Sequence, residues 1–185
     1  TGRTPFVFRL KTLIVGAFKA SFGLGLVMRQ GFLMGKQTGN VRRGQGLRPH
    51  RSTDETNFMR GIGLSLKLGR LDLSVLYSHR RWDATLDSTA LESTPLPDTG
   101  HALQGNTSPQ PTVKTIVDNG YHRTLTEWKK KNVLGVDVTA GNVAWNHTHL
   151  HLGATGYLMH THKLLSPGDA AYRRIYPHGN RFGSL

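Results

Sequence analysis

The stretch 57–83, NFMRGIGLSLKLGRLDLSVLYSHRRWD, is the part of the chain that decides how the remainder is interpreted. Apolar residues alternate with polar or small residues through both halves of it, which is typical of a β-strand with one apolar face. The apolar residues at alternate positions of the first half, which would share one face of a strand, are Phe58, Ile62, Leu64, Leu66 and Leu68. The apolar parity of the second half is Leu71, Leu73, Val75 and Tyr77. Gly69 and Arg70 separate the halves, and a glycine that can adopt positive φ suits a tight hairpin turn.

The length of the two halves favours one class of β-protein. Each half has about a dozen residues, whereas an ordinary strand has roughly five or six. A tilted strand that crosses a bilayer needs roughly nine to eleven, and it alternates lipid-facing apolar residues with polar or small residues that face the lumen. The pattern therefore predicts transmembrane strands. The residues expected to face lipid are Leu64, Leu66, Val75, Val136 and Leu152.

Composition limits the class of protein. The chain has 185 residues, no cysteine and a formal net charge of +13. A chain of this length can bury a core, and the missing cysteines exclude disulfides and thiolate chemistry. The positive charge indicates an anionic partner, which could be nucleic acid, lipid phosphate or an acidic polymer, or else a solvated basic surface. Mean hydropathy is −0.38, and no apolar run approaches the roughly 18 residues of a membrane helix. A β-barrel protein would not contain such a run either, because half of its strand residues face the lumen.

The same alternation recurs on both sides of the central hairpin. We predict an all-β fold, an antiparallel up-and-down meander of about six long strands that forms part of a transmembrane β-barrel. The three hairpins are expected at about 8–35, 57–84 and 132–162. Their turns are short, near residues 20, 69 and 146.

The connections between the predicted hairpins are long. They are expected at 36–56 and 85–131, with a loop-like tail at 163–185. An irregular connection as long as 85–131 is unusual in a compact soluble domain. Short turns at one end and long connections at the other are typical of outer-membrane barrels.

The chain is expected to be one barrel segment over residues 1–185. Six strands are too few to close a barrel, for which eight is the usual minimum. The sequence does not begin with Met and looks like a piece of something longer. The remaining strands are therefore expected from a longer parent chain, and isolated sheet edges would favour aggregation.

Two basic segments are candidates for anion binding. Arginines of the 36–56 connection could clamp phosphates bidentately, or they could pair with Asp54 and Glu55, and the residues leave both readings open. Trp128 followed by three lysines suits either a membrane-interface girdle or a nucleic-acid contact. The candidate anion-binding residues are Arg42, Arg43, Arg48, Arg51, Lys129, Lys130 and Lys131.

Catalytic and metal-binding patterns are weak. The glycines at 23 and 25 resemble a phosphate loop, but Met28 occupies the place of the third glycine and no helical pattern follows. Among ten histidines, the His149/His151 and His160/His162 pairs are too far apart along one strand to share an ion, given about 3.3 Å per residue. No nucleophile elbow appears. We predict neither an enzyme nor a metal or cofactor site, and expect the histidines to face the lumen or the membrane interface.

The segment RRGQGLRPHRSTDETNFMRG (42–61) resembles the large outer-membrane β-barrel proteins of the Bacteroidota that carry a periplasmic helix-hairpin-helix segment upstream. Three further pieces recur in the same order, namely SFGLGLV (21–27), NGYHRT (119–124) and YPHGNRF (176–182). The resemblance implies an integral outer-membrane barrel of unsettled function, of which this chain is a section without the helix-hairpin-helix part. Leu24 stands where the family often has Gln.

The functional prediction is therefore an outer-membrane β-barrel of structural or transport type. Its partners would be outer-membrane lipid and, through the basic loops, lipopolysaccharide phosphates or another anionic ligand. The alternative is a soluble basic β-domain that binds RNA or DNA. Against it, aromatic residues make up only 8% of the chain and lie with the apolar faces, not on a basic face where bases could stack. The direction in which the apolar faces point separates the two.

Overall fold

The computed structural model describes residues 8–30, 44–53, 57–87, 111–117, 123–167 and 176–185. Over these residues the fold is all-β, as predicted, with a single one-turn helix. The elements are β1 (Phe8–Ser21), β2 (Gly46–Pro49), β3 (Met59–Leu68), β4 (Leu71–Asp87), β5 (Thr112–Val117), α1 (Leu125–Trp128), β6 (Leu134–Asn146), β7 (His151–Leu165) and β8 (Gly179–Ser184). The described residues therefore contain eight strands where about six were predicted.

The central hairpin forms where the alternation predicts it. Strand β3 has 10 residues and β4 has 17. They pair antiparallel from Leu68↔Leu71 at the turn to Gly61↔Ser78. Gly69 has a φ of +61°, a conformation that costs other residues free energy. The β6–β7 hairpin is also present, with its short connection at residues 147–150.

Strand β1 follows the predicted start but not the predicted partner. It pairs antiparallel with β3, for example Leu13↔Leu64, and its last residues pair with β2. The predicted 8–35 hairpin is wrong over residues 22–28, which form a turn; residues 31–35 lie outside the described part. Gly23 and Gly25 have φ of +57° and +77°, so the Gly-x-Gly spacing that looked like strand alternation reverses the chain instead.

Three short strands lie in segments that were expected to be loops. Strand β2 lies in 36–56, β5 and the end of β4 lie in 85–131, and β8 with the end of β7 lies in the tail 163–185. Strand β5 is a run of β-branched residues that pairs antiparallel with β4 and, at Val113↔Leu165, parallel with β7. Four- and six-residue strands show too little alternation to be recognised, because their stability comes from the neighbour to which they bond.

The strand order departs from an up-and-down meander. It is β2-β1-β3-β4-β5-β7-β6, with β8 paired to β7 and an additional pairing of β4 with β6. Since β4 also pairs with β6, the hydrogen-bonded path through β4, β5, β7 and β6 returns to β4, and the sheet forms a small closed barrel.

The described chain divides into two compact units, each with its own buried side chains. The first unit contains residues 8–30, 44–53, 57–80, 136–160 and 181–185, and the second contains 81–87, 111–117, 123–135, 161–167 and 176–180. The core of the first unit consists of Phe18, Ala20, Phe22, Met28, Leu47, Met59, Leu76 and Ala140. The buried apolar residues of the second unit are Ala84, Val113, Leu134 and Leu165.

Candidate functional site

The most unusual feature of the first unit is the direction in which the side chains of β1, β3 and β4 point. Large apolar side chains on these strands point outward, and Val15 (74% exposed), Ile62 (52%) and Val75 (58%) are examples. The opposite face buries hydroxyl groups, with Ser65 5% and Ser78 3% exposed. A strand of a soluble protein normally presents its apolar face to the core and its polar face to water. In the part of these strands nearer the Gly69 turn the two faces are exchanged, whereas farther from it Phe18, Met59 and Leu76 are buried in the core.

A β-bulge extends this outward apolar face along β1. The register runs Leu10↔Leu66 and then Thr12↔Ser65, so Lys11 is an extra residue on β1. A bulge shifts the parity of a strand by one residue. Phe8 and Leu10 before the bulge therefore face outward together with Leu13 and Val15 after it, and all four are more than half exposed. Strict alternation over the whole strand would have turned one pair inward.

We call the outward apolar residues of these three strands the apolar band. It consists of Phe8, Leu10, Leu13, Val15, Ile62, Leu64, Leu66, Leu71, Leu73, Val75 and Tyr77. Cross-strand pairs such as Leu13↔Leu64, Leu64↔Val75 and Leu66↔Leu73 make it continuous. The band is a single apolar surface across three neighbouring strands.

Four of the five residues predicted to face lipid are accessible, and one is not. Val75 and Leu152 are 58% and 55% exposed, and Leu64 and Leu66 are half-buried within the apolar band. The outward assignment of Val136 is wrong, because its side chain is only 1% exposed. Strand β6 turns its apolar parity inward, so the rule that fits β3 and β4 fails there. Contact of the other four residues with lipid stays a prediction.

A cluster of cations lies at the end of the band away from Gly69, and we call it the basic rim: Lys19, Arg48, Arg60 and Arg80. Lys19 and Arg48 are directly opposite each other across β1 and β2. The Cζ atoms of Arg80 and Arg60 lie 4.0 Å and 6.0 Å from the ring centroid of Phe58.

Further contacts hold the basic rim in place. The His50 ring stacks on Phe58 at 4.6 Å with an interplanar angle of 20°. Nη1 of Arg80 donates to the Phe58 carbonyl at 3.0 Å. The backbone N–H of Arg60 donates to Oγ of Ser78, also at 3.0 Å. The side chains of His50, Arg60 and Arg80 therefore all lie against the Phe58 ring.

The predicted anion-binding residues are divided by the structure. Arg48 belongs to the basic rim and Arg51 is exposed nearby in sequence, whereas Arg42 and Arg43, like their predicted partners Asp54 and Glu55, lie outside the described residues. Reasoning from sequence missed Lys19, Arg60 and Arg80, which the pairing of β1, β2, β3 and β4 brings together. The one available signal was that the apolar alternation stops at Arg60.

The three predicted lysines lie after α1 in the second unit. Lys129 is exposed, Lys130 and Lys131 are half-buried, and the Lys131 Nζ lies 4.6 Å from the centroid of the Trp128 ring. A capping box begins the helix, because Thr124 accepts from the Glu127 N–H while the Glu127 carboxylate accepts backbone N–H bonds. Those bonds, from Arg123 at 2.6 Å and Thr124 at 3.1 Å, hold the pKa of Glu127 below its usual value.

A polar group interrupts the outward face where β4 meets β6. Oδ1 of Asp137 accepts a hydrogen bond from the Tyr77 hydroxyl at 3.1 Å and lies 2.6 Å from Nδ1 of His79. An ionised carboxylate only accepts, so Nδ1 of His79 carries the proton. These bonds tie β4 to β6 at the edge of the apolar band. His79 was absent from the histidine pairs considered from sequence, since no motif marks it.

Residues of β1, β2, β3, β4, β6 and β7, together with the turn at 22–27, line an open cavity of about 840 Å³ in the first unit, which we call the inner cavity. Asp72, Asn142, Asn146, His151 and Thr155 are among its lining residues. His151, which is expected from sequence to face the lumen or the membrane interface, lies on the wall of this cavity. The hydroxyls of Ser65 and Ser74, which also line the cavity, are hydrogen bonded to each other at 2.7 Å.

The helices of the described residues and the comparisons with known proteins complete the description of the site. Within the described ranges no helix has the length and apolar character needed to cross a bilayer. A scan against known protein families, a search of curated proteins and a search of solved structures each gave no match to this chain.

Proposed function

We propose that this chain is a section of an integral outer-membrane β-barrel and that the apolar band contacts lipid. The observation that carries the proposal is the exchange of faces on β1, β3 and β4, which expose leucine, valine and isoleucine while burying Ser65, Ser74 and Ser78. Soluble monomers rarely expose a continuous apolar surface larger than a few hundred Å². Barrel strands in a membrane alternate apolar residues outward with polar residues inward.

The dimensions of the band suit a thin bilayer. Leu71 to Tyr77 spans six residue steps, which is about 20 Å along the strand at about 3.3 Å per residue. A strand tilted by about 40° would cover a height of about 15 Å, less than the usual apolar height of about 25 Å. The bacterial outer membrane is thinner than average, and mismatch is also met by local thinning of the bilayer. We therefore expect the Tyr77 ring at headgroup level.

The basic rim supports binding of lipid phosphates. Lys19 and Arg48 stand directly opposite each other across β1 and β2, and the guanidinium groups of Arg60 and Arg80 lie beside the Phe58 ring. Cations gathered at one end of the band favour contact with a lipid phosphate through charge-assisted hydrogen bonds. The rim lies at the end of the band opposite the tight turn at Gly69, which in a barrel of this class is the side of the outer leaflet. Lipopolysaccharide phosphates are therefore the proposed ligands.

The free edge of β1 supports extension of the sheet by additional strands. Strand β1 pairs with β2 only through Phe18–Pro49, Lys19–Arg48, Ala20–Leu47 and Ser21–Gly46. On that side residues 8–17 have no strand partner among the described residues. We infer that further strands of a longer parent chain pair there, because an exposed edge of this length is prone to aggregation.

The membrane test uses both the parent protein and the chain. The full-length parent is fractionated from its native cell, and the chain is folded into vesicles of dilauroylphosphatidylcholine. We expect resistance to a carbonate wash and faster migration of unboiled samples on a gel. Recovery of the parent in the soluble fraction would overturn the proposal, and salt-dependent binding of nucleic acid, the alternative function, would be titrated next.

The phosphate test is separate. Binding of the chain to vesicles with and without lipid A is compared for Arg48→Gln and for the matched Arg70→Gln, which lies at the Gly69 turn. We expect the rim variant to lose the preference for lipid A and the turn variant to keep it. Equal behaviour of the two variants would contradict the rim as the binding site.

A further inference from the structure

The inner cavity contains a hydrogen-bonded chain that no part of the membrane proposal uses. Nδ2 of Asn146 donates to Oδ2 of Asp72 at 2.9 Å, and Oδ1 of Asn146 lies 3.0 Å from Nδ1 of His151. All three residues line the cavity. The other carboxylate oxygen of Asp72, Oδ1, is buried without a hydrogen-bond partner.

The carboxylate of Asp72 determines how the side chains of Asn146 and His151 are oriented in this hydrogen-bonded series. An ionised carboxylate only accepts hydrogen bonds, so Asn146 must present its NH₂ group to Asp72 and its carbonyl to His151. Nδ1 of His151 must then donate, which leaves Nε2 of the neutral ring as an acceptor. The three side chains therefore present two acceptors at the cavity wall, Nε2 of His151 and Oδ1 of Asp72, and the latter lacks a donor.

A second group of polar side chains supplies donors. Nδ2 of Asn142 donates to the Ala154 carbonyl at 3.1 Å and to Oγ1 of Thr155 at 2.7 Å. The Thr155 hydroxyl accepts that bond, so its own proton is available to a ligand, and Oδ1 of Asn142 is available as an acceptor. In the Ser65–Ser74 pair one hydroxyl proton is used between the partners and the other is not.

The charge of the wall argues against an ion as the ligand. Among the described lining residues the charged side chains are Lys11 and Asp72, one of each sign, while the other polar groups are hydroxyls, amides and one imidazole. A phosphate drawn to the Lys11 ammonium would also face the acceptors of Asp72, Asn142 and His151, and a metal cation drawn to Asp72 would also face Lys11, so neither ion is favoured by the whole wall. A ligand whose groups each donate and accept would satisfy both kinds of wall group at once, and sugar hydroxyls do this.

We propose that the inner cavity binds a small neutral polyhydroxylated solute of the mono- or disaccharide class. His151, Asn142 and Asp72 accept from its hydroxyl groups, and Thr155 donates to them. A cavity of about 840 Å³ lies within the usual range for small-ligand sites of roughly 300–1,000 Å³. The inference rests on the first unit alone and does not require contact with lipid.

The experiment measures binding without a membrane. The folded chain in detergent micelles is titrated with glucose and maltose by saturation-transfer NMR, and with sodium phosphate and magnesium chloride, the ionic probes, by isothermal titration calorimetry. Thr155→Val keeps the shape of the side chain and removes its hydroxyl. We expect this variant to bind the sugar about tenfold more weakly, as for the loss of one buried hydrogen bond.

The matched control is Thr139→Val, the same change at an exposed position on β6, which should leave binding unchanged. Ser74→Ala is a second cavity variant if Thr155→Val fails to fold. Equal effects of the control and cavity variants, binding of phosphate or magnesium instead of sugar, or no sugar binding by protein with native circular dichroism would each overturn the proposal. None of these outcomes bears on the carbonate-wash result, so the two proposals fail independently.

Discussion

The β3–β4 hairpin and strand β6 have the same alternating pattern but face opposite ways. In the hairpin the apolar parity points outward, as at Val75 (58% exposed), and the small polar parity is buried, as at Ser74 (9%). In β6 the apolar parity is buried at Val136 (1%) and Ala140 (3%), whereas Thr139 is exposed. Strand β4 pairs with β6, so the reversal occurs between hydrogen-bonded neighbours.

The difference follows from what lies opposite each inner face. Ala140 belongs to the core of the first unit, and Val138 packs against it. Further along the same inner surface, Ser65 and Ser74 satisfy each other and border the inner cavity. One part of the sheet covers a packed core, and the other borders the open inner cavity. A period of two therefore establishes that a strand has two different faces, without saying which faces inward.

The largest effect is expected for a charge on the inner face of β6. Val136→Arg buries an unpaired cation and should cost about 3–5 kcal/mol of folding free energy. Thr139→Arg, on the outer face of the same strand, should change it by less than about 0.5 kcal/mol. The midpoint of urea unfolding in detergent micelles measures both. If the two variants were equally stable, β6 would not have the orientation described.

The same charge on the hairpin should act on insertion instead of folding. Leu64→Arg combined with Val75→Arg should prevent insertion into vesicles, because arginine at the bilayer midplane costs roughly 2–4 kcal/mol for each residue. The paired control, Leu64→Ala with Val75→Ala, should still insert. Insertion is measured by the migration of unboiled samples on a gel. Normal insertion of the double arginine variant would remove the lipid-facing assignment and the apolar band with it.

A smaller effect is expected within the buried serine pair of the hairpin. Removing one hydroxyl, in Ser65→Ala or Ser74→Ala, leaves its partner buried and unsatisfied and should cost about 1–3 kcal/mol. The double variant should cost less than the sum of the two, because no unpaired group remains. Urea unfolding of the four proteins gives the coupling free energy. Simple additivity would mean that the hydroxyls are hydrated separately.

The smallest effect compares the two hairpin turns. Gly69→Ala places a Cβ on a residue at φ +61° and should cost about 1 kcal/mol. In the β6–β7 turn, where none of residues 147–150 has positive φ, Thr148→Ala should change stability by less than about 0.5 kcal/mol. Thermal unfolding measures the difference. A larger loss at Thr148 would show that side-chain contacts, and not backbone conformation, determine these turns.

Prediction from sequence succeeded where one signal acts over many residues. The all-β class and the β3–β4 and β6–β7 hairpins follow from long alternating runs around short turns. Strands β2, β5 and β8 were missed because four to six residues hold too little alternation to stand out. The turn after β1 was mistaken for a strand because Gly23 and Gly25 imitate alternation while adopting positive φ.

The candidate site was predictable only in part. The outward direction of side chains such as Val75 can be predicted from the alternation if the strands are taken to cross a membrane. Arg48 can be predicted as an anion-binding candidate because it belongs to a basic segment. The basic rim and the Asp72–Asn146–His151 chain join residues up to 74 positions apart. Nothing in their local sequence marks them, since each depends on the register of strands that meet only in the folded sheet.

By itself the amino-acid sequence determined that the chain forms long two-faced strands, that it turns at Gly69, and that it carries an excess of positive charge. Those properties are local, because alternation and glycine conformation depend on neighbouring residues. Only the tertiary structure decided that β1 pairs with β3, that a bulge at Lys11 keeps Phe8 and Val15 on one face, and that β6 turns Val136 and Val138 inward. The backbone groups of any strand edge bond equally well to any other, so the choice of partner and face is made by side chains that pack across the sheet.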